Sequence, residues 1–472
     1  MGIRRMDARP GMWGLFPWLV AASGFLISYF AYAPGIMTPD GTGQFHQALT
    51  RHYNDVHPPV MAWLWTQTNA VVPGPEGFFL VLLTLYWVGF LLLIRNLLRR
   101  SMARAIIASI LPFSPIFFSV AGMIWQDVLM FDCLLVATGI ILGRAPGESG
   151  RFPVLAGAIG AVLLVLACLA RWNAFPAVIP LVVLAIWPQP AARAPLRRLI
   201  YRLVLCLPVV LLVWAGSAAV LQARVVHAER TGFANMLPMW DLIGMSHRLN
   251  RNLLPGSWTE QQSRQITQSC FTPIDDNNLA GSNGSCWWIH QHIVKDGDWK
   301  LTTLFPLWAQ TIARHPGAYL ALRLRYARTL FWPNAIFMFN ADDGIGPFDH
   351  ESSRVFELEK SVMNFLKSTP GVYFLVTVGF WLVASAALTL GFALALSRGR
   401  TSCYTSFLLS LSGAATVWPL VIIGPDGQLR YAYWAIGTAC MALLYWRLER
   451  SAPQPSVETS PAATVAELES VR

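Results

Sequence analysis

The sequence predicts an all-α polytopic membrane protein of about ten transmembrane helices, and three observations predict it. Of its 472 residues, 55% are hydrophobic and only 13% are charged, against roughly a quarter charged in an ordinary soluble domain. The apolar residues gather in blocks, most of them about 17–25 long, the length that crosses ~30 Å of hydrocarbon. The short connections between alternate blocks are rich in arginine, as cytoplasmic loops are. The net charge of +10 therefore follows from orientation and calls for no nucleic-acid partner.

Charge sets the direction of each block in turn. Arg4, Arg5 and Arg9 precede the first, 13–33, so its N-terminus is expected inside. The "AYA" before Pro34 is similar to a signal-peptidase site, but the block is longer than a typical signal core and reads as uncleaved. The stretch "MTPDGTGQFHQALTRHYNDVHPPVMAWLW" then falls outside, in a first periplasmic loop, 37–77. Block 78–94 returns to "RNLLRRSMAR", 105–123 goes out to "WQD", and 128–142 comes back to Arg144 and Arg151. Block 154–170 goes out and ends in "RWN", and 175–187 returns to "AARAPLRRLIYR". Block 203–221 then enters a long polar segment. Block 371–396 returns to "SRGR", 406–423 goes out to "GPDGQLR", and 431–446 ends at Arg447 and Arg450. Both termini are thus expected in the cytoplasm. The chain divides into a membrane module at 1–221, a periplasmic segment with interfacial helices at 222–370, and further membrane helices at 371–447. A Pro-, Ser- and Ala-rich tail at 448–472 has a composition that predicts disorder.

Once the chain is oriented, the unusual polar residues collect on the outer face. Asp40, Asp55 and His57 lie in the first outer loop, Gln126 and Asp127 in the second, and Arg171 and Asn173 in the third. Asp241, His247 and Arg248 lie in the long outer segment, and Asp426, Arg430 and Tyr431 in the last loop. Ionisable groups at the mouth of a helix bundle pair with one another or with a charged ligand. Carboxylates to handle protons and arginines to hold an anion suit phosphate-activated transfer. Each residue also has a plainer use. Asp40 fits a turn or helix N-cap, His57 a turn before Pro58-Pro59, and Asp127 a cap on the following span. Arg171 and Arg430 could snorkel to headgroups.

Beyond these, 308–332 places Ile312, His315, Tyr319, Arg323 and Tyr326 at helical spacing, which suits an interfacial helix against headgroups or one that only packs. Of seven cysteines, only Cys270 and Cys286 lie in the outer segment, where a disulfide fits an oxidising compartment. The pairs Asp275-Asp276 and Asp342-Asp343 could bind a divalent metal or simply be solvated. No cofactor or metal is firmly implied.

Asp40 in the first outer loop, a short helix and "NDVHPP" are followed by "WQDVLMF", "ARWNAFPAVIP", "MWDLIGMS", "ARHPGAYLALRLRY" and "PDGQLRYAYW". In this order the motifs resemble the GT-C superfamily of polytopic membrane glycosyltransferases. The likeness is to bacterial relatives of the protein mannosyltransferase and lipid A aminoarabinose transferase group, and it runs over about residues 38–434. The resemblance implies transfer of a sugar from a polyprenyl-phosphate-sugar donor to a lipid-linked glycan, lipopolysaccharide or other cell-envelope acceptor. The reaction would occur on the periplasmic face of a bacterial inner membrane. It places Asp40 as catalytic base and aligns Asp127 with the acidic residue of the second loop. Under that implication, His57 orients Asp40 or the phosphate. Arg171, Arg430, Tyr431, Asn173, Asp241, Arg323 and Arg325 are then candidates for holding the donor. Two other classes compete: a transporter or flippase for a lipid-linked sugar, and a non-catalytic subunit on the same scaffold. A flippase predicts polar residues at mid-membrane, where Asp132 is the main exception to apolar span interiors.

Overall fold

The computed structural model describes residues 12–144, 151–188, 196–274, 278–279, 284–331, 353–424, 427–446 and 448. Those residues form helices and turns, with isolated β-bridges and no strand among them. The membrane-type helices begin with α1 (Phe16–Tyr32). The polar stretch 37–77 folds as α2 (Pro39–Thr50) and α3 (Val60–Asn69), followed by α4 (Glu76–Leu98). The third apolar block is broken into α5 (Met102–Ile110) and α6 (Pro115–Val120). Then come α7 (Gln126–Gly143), α8 (Arg151–Ala170), α9 (Ala174–Ile186) and α10 (Leu196–Val220). A π-helical turn, Leu221–Val226, extends α10. The outer segment supplies α11 (Met236–Leu249), α12 (Glu260–Gln268), α13 (Trp287–Lys295), α14 (Leu301–Arg314), α15 (Pro316–Thr329) and α16 (Phe356–Ser368). The chain closes with α17 (Val378–Ser397), α18 (Tyr404–Ile423) and α19 (Tyr433–Tyr445).

Six helices among the described residues are long and apolar enough to cross a membrane: Glu76–Leu98, Gln126–Gly143, Pro153–Ala170, Leu196–Val226, Val378–Ser397 and Thr401–Ile423. This is the pattern of a multi-pass membrane protein. The expected blocks 13–33 and 175–187 form shorter apolar helices, α1 and α9. The block 105–123 departs from a single helix for a local reason. Pro112 and Pro115 flank the break, and Ser114 takes an extended conformation with ψ 147°, because a residue before proline is driven out of the helical region.

At the centre stands α7, packed on α4 and α8 and reaching α9 and α19. The second group is α18 against α9, α17 and α19. Within α7, Asp132 is fully buried and neither carboxylate oxygen has a hydrogen-bond partner among the described residues.

Backbone pairing joins several loops at one end of this bundle. Ile36 N–H donates to Gly122 O at 2.9 Å, and Ile124 N–H donates to Ile36 O at 3.0 Å. Gly122 makes the approach possible, since a Cβ there would stand 2.5 Å from the Tyr32 ring. Asn54 bridges to Glu229, and the Asp55 carboxylate accepts from the Thr231 N–H and hydroxyl, both at 2.6 Å. The segment leading into α16 is tied to α1 through Arg354 Nη1, which donates to Phe30 O at 2.8 Å, and α16 itself through Glu359, which accepts from the Tyr32 hydroxyl.

Candidate active site

The expected short helix is present as α2, and its placement decides Asp40's local role. Thr38 occupies the N-cap position, and Asp40 falls in the first turn rather than at the cap. There the helix dipole favours its charge, but the carboxylate turns to two side chains from elsewhere. Oδ2 accepts from Arg430 Nη1 at 2.8 Å, and Oδ1 lies 3.5 Å from His57 Nε2. Asp127 stands in the first turn of α7, where Oδ1 accepts from Arg171 Nε at 2.9 Å. Arg430 Nε lies 3.9 Å from Asp127 Oδ2, so one guanidinium touches both carboxylates. His57, Asp40, Arg430, Asp127 and Arg171 thus form one continuous chain of partners.

Aromatic rings fix the cations. The Tyr431 ring lies 5.1 Å from the Arg171 guanidinium and 5.2 Å from that of Arg430, and the Trp125 ring lies 5.1 Å from Arg430. Trp125 is itself anchored by donating Nε1–H to Thr38 Oγ1 at 2.8 Å, two residues from Asp40. Arg430 and Tyr431 are carried on a 3-10 turn, Leu429–Ala432, that leads into α19. Tertiary structure therefore brings four loops to one point.

The chain is graded in depth. The Asp127 side chain is 2% exposed and that of Asp40 is 37% exposed. Asp127 is the buried brace, and Asp40 is the carboxylate an incoming molecule can reach. Burial raises the Asp40 carboxyl, but the Arg430 guanidinium and then His57 outweigh it and hold the group well below the ordinary carboxylate range. Burial lowers the Arg171 guanidinium, and Asp127 with Tyr431 reverses this to a net rise.

The remaining predicted site residues stand apart. Asn173 occupies the N-cap position of α9 without a side-chain cap bond. Asp241 and Arg323 form a second, buried pair between α11 and α15, with Nη2 to Oδ2 at 2.6 Å. Trp308 Nε1–H donates to the same Asp241 oxygen at 2.8 Å, and Arg323 Nη1 donates to Gly424 O at 2.8 Å. Burial raises the Asp241 carboxyl against the opposing pull of Arg323 and Trp308. Arg323 thus serves as an internal tie among α11, α15 and the loop after α18. Arg325 is exposed on α15, with its guanidinium 5.8 Å from the Phe271 ring. His247 is engaged with Thr267 O at 2.7 Å through Nδ1. Cys270 and Cys286 are disulfide-bonded, with their Cα atoms 5.7 Å apart.

Asp275, Asp276, Asp342, Asp343 and Asp426 lie outside the described residues. Among those described, no three His, Cys, Asp or Glu side chains are grouped to hold a metal ion. Trp125 and Thr38 are contributors that the motif reading did not single out. Their signal was adjacency, since each lies within two positions of a chosen aspartate. Comparison with known proteins returns no matching family model, no matching curated protein and no matching solved structure.

Proposed function

We propose that this protein is an inverting membrane glycosyltransferase that moves a sugar from a polyprenyl-phosphate donor to a hydroxyl of a cell-envelope glycan or lipid. The observation that carries the reading is the exposed Asp40 joined through Arg430 to the buried Asp127–Arg171 pair at one end of the bundle. A lipid-borne phosphate stays in the bilayer, so its chemistry belongs at a helix-bundle mouth. Two arginines seated on aromatic rings are suited to a phosphate oxygen, because guanidinium is planar, permanently charged and stacks on rings.

The same geometry supports a coupling between donor and base. While Arg430 grips Asp40, that carboxylate is a poor proton acceptor. A donor phosphate that draws Arg430 away relieves this hold and raises the basicity of Asp40 when a substrate is in place. The acceptor hydroxyl then attacks C1 of the sugar, its proton passes to Asp40, and the C1–O bond to phosphate breaks in one displacement with inversion. Charge growing on the departing polyprenyl phosphate is met by Arg430 and Arg171. His57 fixes the orientation of Asp40 through Oδ1.

In this reading the site faces the periplasm of a bacterial inner membrane, with both termini in the cytoplasm. Glycan profiles of a deletion strain carrying the wild type or Asp40→Asn test it. At matched expression, wild type restores the missing sugar and Asp40→Asn does not. Full restoration by Asp40→Asn removes the catalytic-base assignment.

A further inference from the structure

At the far end of α2 from Asp40, the loops line an open cavity of about 550 Å³, within the size range of small-molecule sites. One wall is the α2–α3 connection with Arg51 and His52 together with Trp63 of α3, and the other is the end of α10 with His227 and Glu229. The walls are locked together by backbone bonds. Glu229 N–H donates to Tyr53 O at 2.8 Å, and Asp55 N–H donates to Glu229 O at 3.1 Å.

Backbone conformation marks this cavity. Three non-glycine residues among those described have positive φ, and two of them, Arg51 at 56° and His227 at 47°, line it from opposite walls. Both are helix C-terminal caps, of α2 and of the π-helical turn, where a left-handed residue commonly ends a helix and is usually glycine. The π-helical turn brings Val226 and His227 into the wall, and such turns are rare and frequent at functional sites. Glycine would fit both φ values without strain, so an arginine and a histidine stand there at a conformational cost. Among the described residues, the side chains of Arg51, His52, His227 and Glu229 make no hydrogen bond or ion pair. All four are exposed residues that line the cavity, so their donors and acceptors are open to a ligand as well as to water.

We propose that this cavity binds an acidic saccharide, a sugar ring bearing a phosphate or carboxylate. Arg51, His52 and His227 meet the acidic group, Glu229 accepts from sugar hydroxyls, and the Trp63 ring provides a face for the pyranose. α2 spaces the cavity from Asp40 by about 16 Å at ~1.5 Å per residue, farther than one sugar ring extends. The ligand is thus a distal residue of an oligosaccharide acceptor whose reactive hydroxyl reaches Asp40. That role rests on the transfer reading above, whereas the binding itself does not.

Calorimetry on the full chain in phosphatidylcholine nanodiscs tests it, with glucose 6-phosphate, glucuronate, glucose, inorganic phosphate and soluble phosphatidylglycerol as probes. The two acidic sugars bind more tightly than the other three by about ten-fold. Arg51→Gly and His227→Gly each weaken that binding by about ten-fold while Tm stays level or rises, because both substitutions relieve the backbone. Asp40→Asn leaves the affinity unchanged. Absence of acidic-sugar binding to the wild type, equal binding of inorganic phosphate or phosphatidylglycerol, or full affinity in Arg51→Gly and His227→Gly overturns the proposal. So does loss of affinity in Asp40→Asn. A wild-type chain that binds these sugars but transfers none from any polyprenyl-phosphate donor defeats the transfer reading and leaves the cavity's assignment standing.

Discussion

Arg430 Nη1 lies 2.8 Å from Asp40 Oδ2 although 390 positions separate the two residues. The contact closes the last turn before α19 onto the first turn of α2, and it makes the exposed carboxylate dependent on a cation it can lose. Asp40→Asn is expected to keep the fold and lower transfer by about 10²- to 10⁴-fold, the usual worth of a positioned general base. Purified variants assayed with a polyprenyl-phosphate sugar and a glycan acceptor give the number. Activity within a factor of about two of wild type would exclude Asp40 from proton transfer.

The lowered Asp40 carboxyl fixes a pH dependence. Its folded value lies below the ordinary aspartate value of 3.8, so ionised Asp40 favours the folded state above about pH 4. That contribution falls away as pH drops from there toward the lower folded value. The Tm gap between wild type and Asp40→Asn is therefore constant near neutrality and narrows below about pH 4. The side chain is 37% exposed, so solvent screening keeps the gap small. A gap that widens on acidification contradicts the assignment.

Two pairs are buried deeply enough to punish the loss of one member. Asp127 is 2% exposed and Asp241 fully buried, so Arg171→Ala and Arg323→Ala each take the nearest cation from a buried carboxylate, leaving Asp127 the longer approach of Arg430 and Asp241 the Trp308 N–H, and cost up to about 3–5 kcal/mol. Removing both partners costs less than removing the arginine alone, so Asp241→Leu with Arg323→Met recovers part of the loss. Thermal unfolding in nanodiscs of the single and double variants measures both. Equal destabilisation would mean that Arg323 acts mainly through its bond to Gly424.

The Cys270–Cys286 bond closes a short loop in the outer segment, with a sequence separation of 16. Loop-closure entropy for a span of this size is about 3 kcal/mol. Cys270→Ser with Cys286→Ser is expected to lower Tm correspondingly, and reductant should reproduce the shift in the wild type alone.

Asp132 presents the opposite case, a fully buried carboxyl with no hydrogen-bond partner among the described residues. An unsatisfied buried polar group costs about 1–3 kcal/mol. Asp132→Ala should raise Tm with transfer unchanged. A fall in Tm for Asp132→Val as well, which fills the space that alanine leaves, would show that the carboxyl is held by a partner after all.

Long-range partnership was the hardest thing to read in the sequence. Apolar runs and basic loops announce membrane helices because lipid imposes length and composition on every segment. The break at Ser114 was also written locally, in Pro112 and Pro115, but the apolar run concealed it. Side-chain partners carry no such local mark. Loop order gathers Asp40, Asp127, Arg171 and Arg430 on one face, yet nothing in their spacing says that Arg430 touches both aspartates. The same limit hid Asp241 behind Arg323, an arginine that looked free for a ligand and is spent on an internal pair.

The contrast between α7 and α10 has an evolutionary consequence. The apolar window of Gln126–Gly143 is 89% buried, whereas that of Leu196–Val226 is 11% buried. Along most of α10, leucine, valine and isoleucine can be exchanged at little cost, since lipid accepts any of them. Along α7 nearly every change must be answered by a neighbour. Descendants of this chain should therefore drift fastest along α10 and slowest along α7, so a search profile weighted toward α7 should find distant kin that one dominated by α10 misses.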